Sequence, residues 1–145
     1  MARTYRPGAL RRLLNAAMTA GLRLGLAPPA IYLLTTTGRL TGKRRTTPVT
    51  LVEGDDGRFL VAPYGEVGWV HNARASGDVT LARGRHSSTH AVTELGAAEA
   101  APVLERYYRA VPVTRPYFDV AKDSPLADFE AEAPRHPVFL LGPPR

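Results

Sequence analysis

The chain of 145 residues has the size of a single domain, and its 44% hydrophobic and 22% charged residues are ordinary for a globular protein with its own core. The absence of cysteine excludes disulfides, thiolate catalysis and cysteine-type zinc sites. Net charge is +6 and unevenly placed: residues 1–52 carry nine Lys or Arg and no acid, whereas residues 53–145 carry ten basic and thirteen acidic residues, so the N-terminal third is suited to an anionic partner such as a phosphate ligand, nucleic acid or an anionic membrane.

In chain order, residues 9–26 are predicted to form an amphipathic helix. Leu10, Leu13, Leu14, Ala17, Met18, Gly21 and Leu22 follow the i, i+3, i+4, i+7 spacing of one apolar face, and Arg11, Arg12, Asn15, Thr19 and Arg23 fall on the other. Pro28-Pro29 ends it, so residues 1–29 read as an N-terminal helical segment ahead of a domain at 30–145. The acid-free polar face fits an interfacial helix lying on anionic lipid, and it fits an ordinary packed helix as well. The N-terminus lacks a signal-peptide pattern, and no stretch reaches the roughly 18 apolar residues of a spanning helix. The expected location is the cytoplasm, with helix 9–26 offering a peripheral contact to the inner face of the cell membrane.

Ile31 to Thr37 is rich in β-branched and apolar residues and reads as a strand. Residues 38–45 form a polar loop, followed by a strand at 46–53, a turn at Asp55-Asp56-Gly57 and a strand at 58–62, since Asp-Gly between apolar runs marks a hairpin. After a loop at 63–68, a short helix is expected at 69–76. A second hairpin follows, with strands 79–83 and 86–94 turned at Gly84. A helix at 97–110, a proline-broken segment at 112–125 and a last strand at 136–141 complete the chain. Antiparallel strands with a few helices predict an α+β barrel.

The sharpest local feature is the stretch Gly38 to Pro48. Its two glycines let the backbone approach a ligand, and its four cations and three hydroxyls supply charge-assisted donors for phosphate or carboxylate oxygens. The spacing is not that of a Walker A loop. A solvated turn is the competing reading. His86 and His90 lie four apart with no neighbouring acid or cysteine, so no metal is expected and both read as surface or strand-pair residues. Asp119, Asp123, Asp128, Glu130 and Glu132 read as a solvated acidic face. Of the aromatics, at least one of Tyr107 and Tyr108 should be core, and Tyr117 and Phe118, in the proline-broken segment, should line a pocket or act as a lid.

Taken together, Leu34-Thr35-Thr36-Thr37-Gly38-Arg39, then Gly42, Arg45 and Pro48, then Val61-Ala62, then Trp69 and Asn72-Ala73 with Ala75, resemble the deazaflavin-dependent nitroreductase family of actinobacteria. The resemblance implies a split β-barrel that binds the reduced 8-hydroxy-5-deazaflavin coenzyme F420. Matching motif positions implies coenzyme contacts from Arg39, Leu40, Thr41, Arg45, Thr46, Thr47, Pro48, Val49 and Thr50, and from Val61, Ala62, Pro63, Tyr64, Gly68, Trp69, Val70, His71 and Asn72. Tyr117 is implied as a catalytic residue on the acceptor side, while Thr114 stands where another tyrosine is usual and Leu40 where a basic residue is common. Acceptors would be quinones, nitroaromatics or activated enones. The coenzyme carries a phosphodiester and a polyglutamate tail, which agrees with the acid-free first third. It transfers the hydride itself, so the protein has to bind, orient and exclude water, and no catalytic triad is required.

Two further readings share the barrel: a reductase using flavin mononucleotide, and a non-enzymatic ligand or lipid carrier. Nucleic acid is not expected, because the loop cations alternate with Gly and Thr rather than with aromatics. A monomer is expected.

Overall fold

The computed structural model describes residues 31–145. The proposed helix 9–26, and with it the boundary at residue 29, lies outside the described residues. Six strands, β1 (Ile31–Thr37), β2 (Arg44–Gly54), β3 (Gly57–Val61), β4 (Asp78–Arg83), β5 (His86–Glu94) and β6 (Val138–Pro144), close into a barrel in the order β1-β2-β3-β6-β5-β4. Every pairing is antiparallel. This is the split-barrel α+β architecture expected.

Period-two alternation sorts the side chains into two cores. Leu51, Leu60, Ala62, Val79, Leu81, Phe139 and Leu141 fill the barrel with Leu34. Their neighbours Val52, Phe59, Val61 and Val138 point outward, where they are covered by helices. Helix α1 (Gly68–Ser76) adds Val70 and Ala73 to the inner core and ends at Gly77, whose φ of 78° suits the left-handed cap. Helix α2 (Ala97–Ala110) lays Ala100, Ala101, Val103, Leu104, Tyr107 and Tyr108 on the outer face. A 3-10 turn at Pro112–Tyr117 then carries the chain back over the barrel. Among the described residues, no helix is long and apolar enough to cross a membrane.

Three expectations are corrected. Strand β2 begins at Arg44, two residues early, because Arg44 and Arg45 continue the ladder opposite Thr37 and Thr36. The last strand starts at Val138, since His136 lies in a turn, with its N–H bonded to the Ala133 carbonyl. The acidic stretch contains a helix, α3 (Leu126–Glu132), that buries Phe129 and Glu132. Its spacing of Phe129, Glu132 and Ala133 is helical, but a carboxylate in the buried stripe hid the pattern.

Glu132 is 2% exposed rather than solvated. Its Oε1 accepts the Asp119 N–H at 2.9 Å and contacts His136 Nε2 at 3.0 Å, and its Oε2 accepts from Arg135. His136 Nδ1 donates to the Pro63 carbonyl at 2.8 Å, and its ring stacks on Phe118 at 3.9 Å. Burial pushes the His136 imidazole down while Glu132 pulls it back. The network ties α3 to the loop after β3. His90 is likewise buried: it pairs across from Val79, with Nδ1 donating to the Gly142 carbonyl and Nε2 bonded to Ser88, both at 2.8 Å.

Candidate active site

Between the β1–β2 loop, strand β2, helix α1 and the α2–turn segment lies a cavity of about 930 Å³. Its cationic and hydroxyl side is built by the loop. Gly38 N–H bonds to the Lys43 carbonyl at 2.7 Å and Gly42 N–H to the Gly38 carbonyl at 2.8 Å, closing a tight turn in which Gly42 has a φ of 73°. A side chain at Gly38 would meet Lys43 O at 3.0 Å. The turn brings Arg39, Leu40 and Thr41 to the cavity, and β2 adds Arg45, Thr46, Thr47, Pro48, Val49 and Thr50.

The loop is held from below by Asn72, on α1. Asn72 is 4% exposed; its Oδ1 accepts the Arg39 N–H at 3.1 Å and the Arg39 guanidinium at 3.0 Å, while its Nδ2 donates to Thr36 Oγ1 at 3.2 Å. One buried amide thus ties β1, the loop and α1 together. Arg39 is pinned at one nitrogen and keeps its remaining donors for an anion.

The opposite side is mostly apolar. Val61, Pro63, Tyr64, Val67, Gly68 and Trp69 line it from the β3–α1 segment, and Tyr107, Val111, Val113 and Thr114 from α2 and the turn. Tyr107 is 3% exposed. Burial pushes its phenol well above the ordinary range, the neighbouring Thr114 hydroxyl pulls the other way, and Tyr64 adds a smaller upward push. The Tyr107 hydroxyl therefore stays protonated at any physiological pH. Thr114 donates its own hydrogen to the Val111 carbonyl at 2.9 Å.

Fifteen of the residues singled out from the sequence line this one cavity: Arg39, Leu40, Thr41, Arg45, Thr46, Thr47, Pro48, Val49, Thr50, Val61, Pro63, Tyr64, Gly68, Trp69 and Asn72. Four do not. Ala62 and Val70 are fully buried in the barrel core, and His71 is half-buried on α1 outside the lining. Tyr117 is partly exposed and outside the lining, its ring packed edge-on against Tyr64, which does line the cavity, at 4.9 Å. Sequence reasoning missed Ile31, Val67, Tyr107, Val111 and Val113 as lining residues. For Tyr107 a signal existed: on α2 it sits seven residues after Ala100 and three after Leu104, on the stripe that packs toward the barrel. Among the described residues, no three His, Asp or Glu side chains gather as a metal site.

A cavity with cations and hydroxyls from a glycine-bracketed loop on one side and apolar walls on the other has the chemistry of a site for an anionic aromatic ligand. The model of the F420H(2)-dependent quinone reductase family matches residues 9–123, most of the chain and all of this lining. The chain belongs to that family. An F420H(2)-dependent quinone reductase of Mycobacterium tuberculosis (strain H37Rv) is 40% identical over 65 residues, and a putative one of Mycobacterium bovis matches equally. That stretch is 42% of this chain and 43% of each relative, so the chain spans under half the length of the relatives it matches. Among solved structures, an F420-H2 dependent reductase (FDR-A) superposes with a TM-score of 0.53 at 26% identity over 78% of this chain and 94% of that one. A domain-swapped dimer matches with a TM-score of 0.56 at 23% identity over 91% of this chain and 92% of that one, a likeness of fold.

Proposed function

We propose that this family member reduces an organic acceptor of the quinone type with reduced coenzyme F420. The observation that carries the reading is the division of a single cavity into a cationic, hydroxyl-rich side and an apolar side. Arg39, Arg45, Thr41 and Thr46 would hold the anionic chain of the coenzyme, with Thr47 and Thr50 as further donors along β2. Pro48, Val49, Val61 and Trp69 would pack its ring system. When bound, the coenzyme supplies the hydride. The chain's own residues bind it, keep water from the ring and offer hydroxyls where an acceptor oxygen becomes basic.

The acceptor would occupy the apolar side, between Tyr64, Tyr107, Val111, Val113 and Thr114. Tyr117 then acts on it through Tyr64, as a positioning residue. Nitroaromatics and activated enones are acceptors of the same electronic type. On this reading the protein works as a monomer. Residues 9–26 would add a peripheral contact to the inner face of the cell membrane.

The test is a titration of the protein with reduced and oxidised F420, followed by turnover with a quinone panel. Quenching of Trp69, the only tryptophan, reports binding from inside the cavity. The expected result is saturable quenching by the coenzyme and quinone-dependent oxidation of its reduced form. Absence of both, or equal binding of flavin mononucleotide with turnover, would overturn the proposal.

A further inference from the structure

Residues 135–137 clasp the turn that carries Tyr64. The Gly65 N–H bonds to the Ala62 carbonyl at 3.2 Å, so Pro63 and Tyr64 are the two central residues of that turn. Three successive contacts hold it. The Ala62 N–H donates to the Pro137 carbonyl at 2.9 Å, and His136 Nδ1 donates to the Pro63 carbonyl at 2.8 Å. Gly65, with a φ of 93°, lies against the Arg135 carbonyl oxygen, which a side chain there would meet at 3.4 Å. Pro63 and Tyr64 line the cavity, whereas His136 is buried outside the lining.

The Tyr64 ring is held by a second route that ends on the same histidine and its partner. Tyr117, packed edge-on against Tyr64, is followed by two anchored residues. Phe118 stacks on the His136 ring at 3.9 Å, and the Asp119 N–H donates to Glu132 Oε1 at 2.9 Å. Glu132 Oε1 also meets His136 Nε2 at 3.0 Å. The backbone and the ring of Tyr64 therefore lean on one carboxylate–imidazole pair, 2% and 3% exposed. Such a buried pair is often no more stabilising than apolar side chains of the same volume, but its hydrogen bonds admit few geometries.

We propose that Glu132 and His136 are positioning residues for Tyr64 and thereby set the shape of the acceptor side of the cavity. They touch neither coenzyme nor acceptor. His136 fixes the turn through Pro63, and the two together fix the stretch that seats Tyr117 against the Tyr64 ring. The role toward an acceptor rests on the proposed function, whereas the hold on Tyr64 does not.

Two variants of the full chain test the pair. An amide at position 132 keeps the shape of the carboxylate but has one acceptor oxygen instead of two, so Glu132→Gln cannot accept from Asp119, His136 and Arg135 together. His136→Gln gives up the ring that reaches Pro63 and stacks on Phe118, and it stands in if the first variant does not fold. In chains labelled with 3-fluorotyrosine, Tyr64→Phe and Tyr32→Phe assign two resonances by their disappearance, and fluorine NMR is read without coenzyme. Both variants should shift or broaden the Tyr64 resonance and leave that of Tyr32, on β1, in place. With reduced F420 and menadione, Glu132→Gln should raise the KM for the quinone about fivefold, while coenzyme affinity from Trp69 quenching changes less than about twofold. In a Tyr64→Ala background the same substitution should change that KM less than about twofold, because nothing is left to position. An unmoved Tyr64 resonance in both variants would overturn the proposal. So would the same fold-change in KM with and without the Tyr64 side chain. A parent chain that turns over no quinone would end the functional proposal instead, and the fluorine spectra would still decide whether the pair holds Tyr64.

Discussion

Asn72 and Arg39 meet twice: one side-chain oxygen of Asn72 accepts both the backbone amide of Arg39, at 3.1 Å, and its guanidinium, at 3.0 Å. The buried amide sets where the loop stands and where its first cation points. Asn72 thereby acts on the site through Arg39. Asn72→Ala should leave the barrel folded but loosen the loop, weakening binding of reduced F420 by about 1–3 kcal/mol. Asn72→Asp discriminates further. It keeps both Arg39 contacts but puts a negative charge under the anion site, so coenzyme affinity should fall even though the loop stays ordered. A titration followed by Trp69 quenching measures both variants; unchanged affinity in both would remove Asn72 from the site.

Arg39 and Arg45 face the cavity from a segment without acids. Arg39→Ala and Arg45→Ala should each weaken coenzyme binding by about 1–3 kcal/mol, and the salt dependence of binding should become shallower. Titrations at two ionic strengths read both effects. Retained affinity in both variants would locate the anionic chain elsewhere.

Tyr107 is the buried hydroxyl of the apolar wall, kept protonated by its surroundings. Tyr107→Phe retains the ring and its packing on Phe118 but removes the only proton this side chain can offer. Turnover with a quinone should fall about a hundredfold or more, the lower end for a lost proton donor, with coenzyme affinity unchanged. Tyr117→Phe should preserve the edge-on contact with Tyr64 and lower turnover less than Tyr107→Phe, again with little effect on coenzyme binding. Steady-state rates beside binding curves separate the two effects. Equal loss in turnover and binding would mark either variant as structural.

Glu132 is the centre of a buried network that joins α3, the stretch after Tyr117 and the loop at Pro63. Glu132→Ala leaves His136, Arg135 and the Asp119 amide without their shared acceptor. Unfolding free energy should drop by about 3 kcal/mol, the lower end for one partner of a buried pair, because Arg135 itself reaches solvent. Urea unfolding measures it. A loss below about 1 kcal/mol would mean that water replaces the carboxylate.

Stability should also fall in acid. Arg74 donates to both oxygens of Glu94, at 2.8 and 2.7 Å, and holds that carboxyl below its ordinary value of 4.5. A carboxyl lowered on folding stabilises the fold fully above the ordinary value, and the contribution disappears as pH falls through the lowered one. Glu94 is about a third exposed, so the effect should stay below about 1 kcal/mol. Thermal melts of the parent and Glu94→Gln should differ at pH 7 and converge as the pH falls below 4.5 and through the lowered value. A constant gap across that range would rule out this titration.

The strands and the glycine-bracketed loop were legible because their signals are local. β-branched runs, an Asp-Gly turn and cations without acids each occupy a few consecutive residues, and residues 31–37, 57–61 and 86–94 form strands much where those signals fall. The motif pattern was likewise legible as a family likeness, because it is written in contiguous pieces between residues 34 and 75. Helix α3 was not, since an acid that packing buries looks the same in sequence as one that water surrounds.

The amino-acid sequence alone determined that this chain forms an antiparallel barrel with an anion-seeking segment in its first third, because side-chain alternation and charge are properties of neighbours along the chain. Only the tertiary structure decided what faces that segment. Barrel closure through β4 on β1 and the return of the chain over the outer face bring Tyr107, Val111, Val113 and Thr114 opposite Arg39 and Arg45, more than sixty residues away in sequence. It also made Asn72 the anchor of Arg39, packed Tyr117 edge-on against Tyr64 and turned Leu40 outward. These relations arise from packing between distant segments, where shape and exclusion of water select the partner and no short-range pattern records it.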